Sequence, residues 1–296
     1  FDCSPTDGYI IPIRVPALDT AKVEAMKQAE RGQNIADILN LFFDTGLTAW
    51  DIESAMGKDS LKNVDCRQKV VLAQCWKNPG GNMDYYIQSL FDRLWPDCRT
   101  KPTKWVRVAI RISIIAATIL DVLNEKGGNC DIAVNSADFE QALAVYYCRL
   151  MGLPIRKILI ACNENSNIWD FVYRGTINFG ASVHNTAYPS LDKVIPDMFE
   201  AYLYIAYGFE ETRKLVHLQQ NGGHYVLPEQ TQLPSADNIF VSVIGQERVG
   251  TVINSFLSNN GIHINPYAAF SLGAMQDYRA KAGESNLTIV FEEDTP

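Results

Sequence analysis

The chain has 296 residues, is 47% hydrophobic and 20% charged, and carries a formal net charge of −8. That balance belongs to an ordinary globular protein able to bury roughly three quarters of its unfolded surface, as one large domain or two modest ones. The acidic charge argues against nucleic acid and anionic membranes, which select clustered Lys and Arg, and no basic patch with interleaved aromatics occurs.

In chain order, the opening "FDCSPTDG" lacks the basic-then-apolar prelude of a secretory signal. Residues 1–60 read as a helical segment. "DTAKVEAMKQAERG" and "NIADILNLFFDTG" carry apolar residues at helical spacing and end at Gly32 and Gly46, where left-handed caps are predicted. From Lys69 the pattern alternates: "KVVLAQCW" reads as a buried strand, "GNMDYYIQSLFDRLW" as a helix and 104–125 as a long amphipathic helix. The run "VAIRISIIAATILDVL" within it is broken by Arg111 and Asp121 and is too short to span a bilayer. Strands at 130–134 and 156–162 bracket the helix of "DFEQALAVYYCRLMGLP", making a βαβ unit. "VIPDMFEAYLYIAYG" and "TRKLVHLQQNGG" read as helices, "NIFVSVI" as a strand, 246–259 and 266–282 as helices, and "LTIVF" as a last strand. This order predicts an α/β fold with a mostly parallel sheet and helices on both faces. Ligands in such sheets lie beyond the carboxyl ends of the strands, which singles out the loops at 135–140, 162–167 and 292–296.

A strand, a short loop and a helix commonly build a phosphate cradle, because backbone N–H groups and the helix N-terminus converge on one point. The loop after 130–134 has the frame but no glycine, and it carries Asp138 and Glu140 where an anion would sit. Each carboxylate beside a phosphate dianion costs on the order of 1 kcal/mol or more at an effective dielectric near ~20. Other chemistry is sparse. Seven cysteines without a C-x-x-C pair predict reduced thiols and a cytosolic protein. His184, His217, His224 and His263 lack metal-ligand spacing, so no metal is expected. "NPGGN" at 78–82 and "NGGH" at 221–224 lack the dinucleotide pattern and read as turns. No Ser or Cys sits on a recognisable nucleophile elbow.

The run "NSADFEQALAVYYCRLMGLPIRKILIACNEN" resembles the segment of threonine synthases that reads V-P-T-G-N-F-G-N, a helix ending M-G-L-P, a strand and T-N-E-N. "SVHNTAYPSLDKVIPDMFEAYLYIAYG" is similar to the stretch before and through the family's S-x-A-M-D-I-x-x-x-x-N-x-E-R helix. "DGYIIP", "INPYAAFSLGAM" and "TIVFEEDTP" resemble its D-G-G-L-F-x-P, D-P-H-T-A-V-A and V-x-L-A-T-A-H-P, in the family's order. The resemblance implies a fold type II pyridoxal-phosphate architecture, here a threonine synthase-like large lobe. The departures are as informative. The H-G-P-T-x-A-F-K-D segment with the cofactor lysine and the S-G-D-T-G loop do not occur, and Lys58–Asp59 alone is no motif. The implied organisation is a helical segment at 1–60 and an α/β domain at 61–296 lacking most of the smaller cofactor lobe.

By the family's register, Ala137 and Glu140 stand for the two glycines of the phosphate loop and Asp138 for its asparagine. The resemblance therefore points to Ser136, Ala137, Asp138, Phe139, Glu140, Asn163, Glu164, Asn165 and Glu293 as degenerate cofactor-binding positions, with no catalytic residue. Glu293 falls where the family's Thr faces the pyridine nitrogen; it reads either as a partner for a pyridinium or as a solvated charge near the C-terminus. Asn163, Glu164 and Asn165 read either as a ligand loop or as caps of the next helix. The expectation is a pseudoenzyme without pyridoxal phosphate, acting as a binding or interaction module and forming a homodimer, with an unknown small-molecule ligand. The alternatives are a working pyridoxal-phosphate lyase using another Lys or a lysine segment absent from this sequence, and a cofactor-free small-molecule sensor.

Overall fold

The computed structural model describes residues 12, 14–57, 60–75, 82–137 and 139–293. Its elements are α1 (Thr20–Lys27), α2 (Arg31–Phe43), α3 (Ala49–Met56), β1 (Lys62–Cys66), β2 (Val70–Gln74), α4 (Met83–Leu94) and α5 (Lys104–Lys126). There follow β3 (Cys130–Asn135), α6 (Glu140–Leu150), β4 (Ile155–Cys162), α7 (Ile168–Arg174) and β5 (Thr176–Asn178). The remainder comprises α8 (Phe199–Tyr207), α9 (Phe209–Gln220), β6 (His224–Val226), β7 (Ile239–Val243), α10 (Gln246–Asn260), α11 (Pro266–Ala282) and β8 (Thr288–Glu292). The chain divides into two compact units, one of the residues up to Cys130, Ala144–Ile155 and the end from Phe291, the other of Asp131–Leu143 and Arg156–Val290.

The first unit is organised by α5. Thr103 caps its start, accepting from Val106 N–H at 3.5 Å, and Gly127 ends it at φ +70°, a conformation glycine adopts without a Cβ clash. Most of the helix is buried nearly all round, and α1, α2 and α4 pack against it. No described helix is long and apolar enough to cross a membrane. The two polar interruptions each have a partner: Asp121 takes Arg31, and Arg111 takes Glu293. An edge-to-face aromatic pair, Phe42 with Trp105, extends to Tyr147 of α6 at 5.3 Å from Trp105. β1 and β2 form an antiparallel hairpin, with Lys62 opposite Gln74 and Cys66 opposite Val70. Its turn holds Gln68 and Lys69 at φ 62° and 56°, left-handed without glycine. Beyond β2, Cys75 N–H donates to Glu292 O at 3.1 Å, which joins β2 to the end of β8.

In the second unit the strand order is β8-β3-β4-β7. β3 runs parallel to β8, with Ile132 opposite Ile289, and β4 runs parallel to β7, with Ile160 opposite Val241. β3, β4 and β8 are almost wholly buried, the mark of strands covered on both faces rather than one. Among the buried polar residues of these strands is Asp131, 1% exposed, whose carboxylate takes Arg156 Nε at 2.9 Å and Nη2 at 2.6 Å. A small ribbon of β5 and β6 pairs Thr176 with Val226 and Asn178 with His224.

The predicted elements from "KVVLAQCW" onward all appear within a few residues of their expected places. The N-terminal caps differ. Gly32 lies inside α2, where an added Cβ would meet Ala49 O at 3.3 Å, and α2 closes on Asp44 at φ 49° rather than on Gly46. "NPGGN" lies outside the described residues except for Asn82, which caps α4 by accepting from Tyr85 N–H at 2.9 Å.

The Tyr147 hydroxyl is buried in the first unit's core with no hydrogen-bond partner among the described residues. A buried polar group without a partner costs about 1–3 kcal/mol. Tyr147→Phe is therefore expected to raise the thermal midpoint by a few degrees. A fall in calorimetry would place an unrecognised partner at that hydroxyl.

Candidate functional site

At the carboxyl end of β3 the chain enters the loop that the sequence singles out. Ser136 N–H donates to Ala161 O at 2.9 Å, continuing the bonding of β3 to β4 past the end of the strand. Ala137 N–H donates to Asn135 Oδ1 at 3.1 Å, a side-chain turn that closes the loop on itself. Phe139 carries the left-handed backbone, φ 60°, and its carbonyl accepts the first helical bond of α6 from Leu143 N–H at 2.8 Å. A bulky residue in that conformation costs roughly 1–2 kcal/mol. The strain is offset by packing: Phe139 is 3% exposed, with ring centroids 5.5 Å from Phe199 and 6.0 Å from Tyr202. Glu140 opens α6 and is buried, so the helix N-terminus is supplied with a carboxylate from its own chain.

The neighbouring loop, after β4, is a polar network. Asn163 and Asn165, both buried, donate from their amides to Asp192 Oδ1 at 2.7 and 2.8 Å. Asn165 also brackets His184, donating to its carbonyl at 2.8 Å and accepting its N–H at 2.7 Å. Thr186 adds its N–H to Asp192 Oδ2 at 2.7 Å and its hydroxyl to Oδ1 at 2.8 Å. Burial pushes the Asp192 carboxyl up, but the bonds from Thr186, Asn163 and Asn165 outweigh it and hold the group below the usual carboxylate range. Glu164 points outward, exposed. The two asparagines thus pin the 184–192 segment and do not cap α7, whose Ile168 N–H donates to Ser166 Oγ at 3.3 Å.

In the first unit, Glu293 follows β8 and forms an ion pair with Arg111, whose side chain is 4% exposed. Glu292 beside it accepts from Gln74 Nε2 at 3.1 Å. Cys75 lies near these charges; burial first, and then the Glu293 carboxylate, push its thiol far up. Asp138 lies outside the described residues.

No sequence-family model matches the chain. Curated relatives match parts of it. Threonine synthase-like 1 of Mus musculus is 30% identical over 106 residues, 34% of this chain and 14% of that protein. The threonine synthase of Corynebacterium glutamicum is 23% identical over 197 residues, 64% of this chain and 40% of that protein. That of Saccharomyces cerevisiae is 26% identical over 202 residues, 63% of this chain and 39% of that protein. Over these stretches the chain is similar to threonine synthases and threonine synthase-like proteins. The solved structure of a pyridoxal-phosphate-bound threonine synthase from Brucella melitensis superposes with a TM-score of 0.79 at 15% identity, covering 99% of this chain and 84% of that one. The yeast enzyme gives 0.80 at 15% identity, covering 99% and 83%. The fold is thus the fold type II architecture, while the sequence matches span well under half the length of the three curated relatives.

In this threonine synthase-like chain, Ser136, Ala137, Phe139 and Glu140 share one loop, and Asn163, Glu164 and Asn165 the next. The residues present do not fit a phosphate dianion: two loop N–H groups are committed inside the chain and a carboxylate opens the helix. Sequence reasoning missed Asn135, whose closing turn is a short-range Asn signal two residues before Ala137. It also missed Asp192 and Thr186, which no spacing ties to Asn163.

Because the folded Asp192 value is depressed, its stabilising contribution is present above the ordinary carboxylate value of about 3.9 and is lost as pH falls through the lower folded value. Asp192→Asn is expected to destabilise the protein by about 1 kcal/mol at neutral pH. The difference from the parent should shrink in acid. A difference independent of pH in denaturant titrations would mean that the carboxylate charge is not its source.

Proposed function

We propose that this protein is a catalytically silent member of the threonine synthase-like family, a cytosolic binding or interaction module that works without pyridoxal phosphate. The observation that carries the reading is the closed loop after β3, with Ser136 N–H on Ala161 O and Ala137 N–H on Asn135 Oδ1. A phosphate cradle needs such donors free, and it needs backbone rather than Cβ atoms at its rim. Here Ala137 and Glu140 carry side chains, and Glu140 supplies the anion that the helix N-terminus attracts. The sequence also lacks the family's lysine segment, so no amine is placed by that motif to hold the cofactor. The cytosolic assignment rests on cysteines that are free throughout the described residues.

A second reading, an active pyridoxal-phosphate lyase, is favoured by one observation: the pyridoxal-phosphate-bound Brucella threonine synthase covers 99% of this chain. The two readings part on colour. A lysine aldimine absorbs visible light, so the purified protein should be colourless, and should remain so after incubation with pyridoxal phosphate and desalting. A retained yellow band, fixed by borohydride onto one Lys, would establish the lyase reading.

Glu140→Gly combined with Asn135→Ala removes a carboxylate from the loop and releases the Ala137 N–H. Inorganic phosphate should bind this double variant at least tenfold more tightly than the parent in calorimetry, and lyase activity should remain absent. Equal phosphate affinity in the two proteins would show that this loop is not a disabled cradle.

A further inference from the structure

Among the described residues, β7 ends the strand order of the second unit, with β4 on one side. Parallel pairing uses alternate residues of a strand. Ile158 N–H donates to Asn238 O at 3.0 Å and Ile244 N–H to Cys162 O at 2.8 Å, so the even-numbered residues of 238–244 bond to β4. The odd-numbered residues turn their N–H and C=O groups away from it, and Val241 is the middle one. Its segment, Ile-Phe-Val-Ser-Val, is β-prone and holds no charge, glycine or proline. On a free edge such a segment is a template for strand addition.

One side chain meets both outward groups of Val241. Its N–H donates to Tyr173 Oη at 3.1 Å, and the Tyr173 hydroxyl donates to Val241 O at 3.2 Å. A neighbouring strand would make the same two bonds. The ring that carries the hydroxyl is fixed from several sides: Trp169 lies at 5.0 Å, Phe240 at 6.5 Å, and Lys281 Nζ at 5.6 Å over its face. α7 ends one residue later, at Arg174, and is capped by Gly175 with φ +71°, where a Cβ would meet Leu227 and Leu233 at 3.1 Å. That glycine lets the chain turn away and leaves Tyr173 against the strand.

We infer that Tyr173 is an edge plug, its hydroxyl standing in for an adjacent strand at Val241 and closing the β7 edge to strand addition. The occupant it keeps out is β7 of a second copy, because one uncharged edge pairs with its own image about a two-fold axis. Burial, opposed by the bond from Val241, pushes the Tyr173 hydroxyl above its ordinary value, so it keeps its proton at neutral pH.

The test uses the full chain. Tyr173→Phe keeps the ring and removes both bonds. The amide of Val241 should then exchange with solvent at least tenfold faster, while that of Ile160, inside the sheet, changes less than twofold. Tyr173→Ala should raise the mass seen by light scattering above the parent's at equal concentration, and adding Val243→Lys should return it to the parent's. Unchanged Val241 exchange in Tyr173→Phe, or a folded Tyr173→Ala with the parent's mass at every concentration, would overturn the inference. Should Tyr173→Ala not fold, the Val241 exchange in Tyr173→Phe decides alone.

Discussion

A backbone N–H that already has an acceptor inside the chain is lost to a ligand, and at the end of β3 that condition governs what the second unit presents. Ser136 extends the bonding of β3 to β4 by one residue, which holds the two strand ends together and sets where each loop begins. Ala137 is turned back on Asn135, and the left-handed step falls on Phe139. The aromatic group of Phe139, Phe199 and Tyr202 then holds a conformation that the isolated residue disfavours. The frame of a fold type II enzyme persists because it is made of strand pairing and apolar packing. An anion site of this kind depends on free donors, and at Ser136 and Ala137 the N–H groups are engaged within the chain.

Three charged residues that interrupt apolar elements have partners far along the chain. Arg111 and Asp121 interrupt the α5 core and find Glu293 and Arg31; Asp131 interrupts β3 and finds Arg156. Removing one member of a buried pair costs about 3–5 kcal/mol, much more than the pair gains over apolar residues of similar size. Such pairs therefore tie distant segments together without adding much stability. Glu293 is held in this way, its carboxylate engaged by Arg111.

Elements with strong apolar patterns were legible in the sequence. α5, β4 and α11 bury most of their residues, so their runs are long and continuous. α3 was not, because only Ile52 and Met56 of its eight residues are buried, although the capping box of Thr48 and Asp51 marks its start. β1 was hidden for a related reason: no residue of Lys-Asn-Val-Asp-Cys is buried, and the strand exists through its pairing with β2. At the site, the negative charge of the phosphate loop could be read directly. The bond of Tyr173 to Val241, 68 residues away, and that of Asn163 to Asp192, 29 away, could not, since no local periodicity encodes a tertiary hydrogen bond.

The central claim is that the N–H groups of Ser136 and Ala137, at the end of β3, are closed to a phosphate group. A crystal structure of the full chain from crystals soaked in saturating pyridoxal phosphate tests it most directly. The account predicts the Ser136-to-Ala161 and Ala137-to-Asn135 bonds intact, with no phosphate density at the N-terminus of α6. Phosphate density seated on the N–H groups of Ser136 and Ala137, with those two bonds broken, would contradict it.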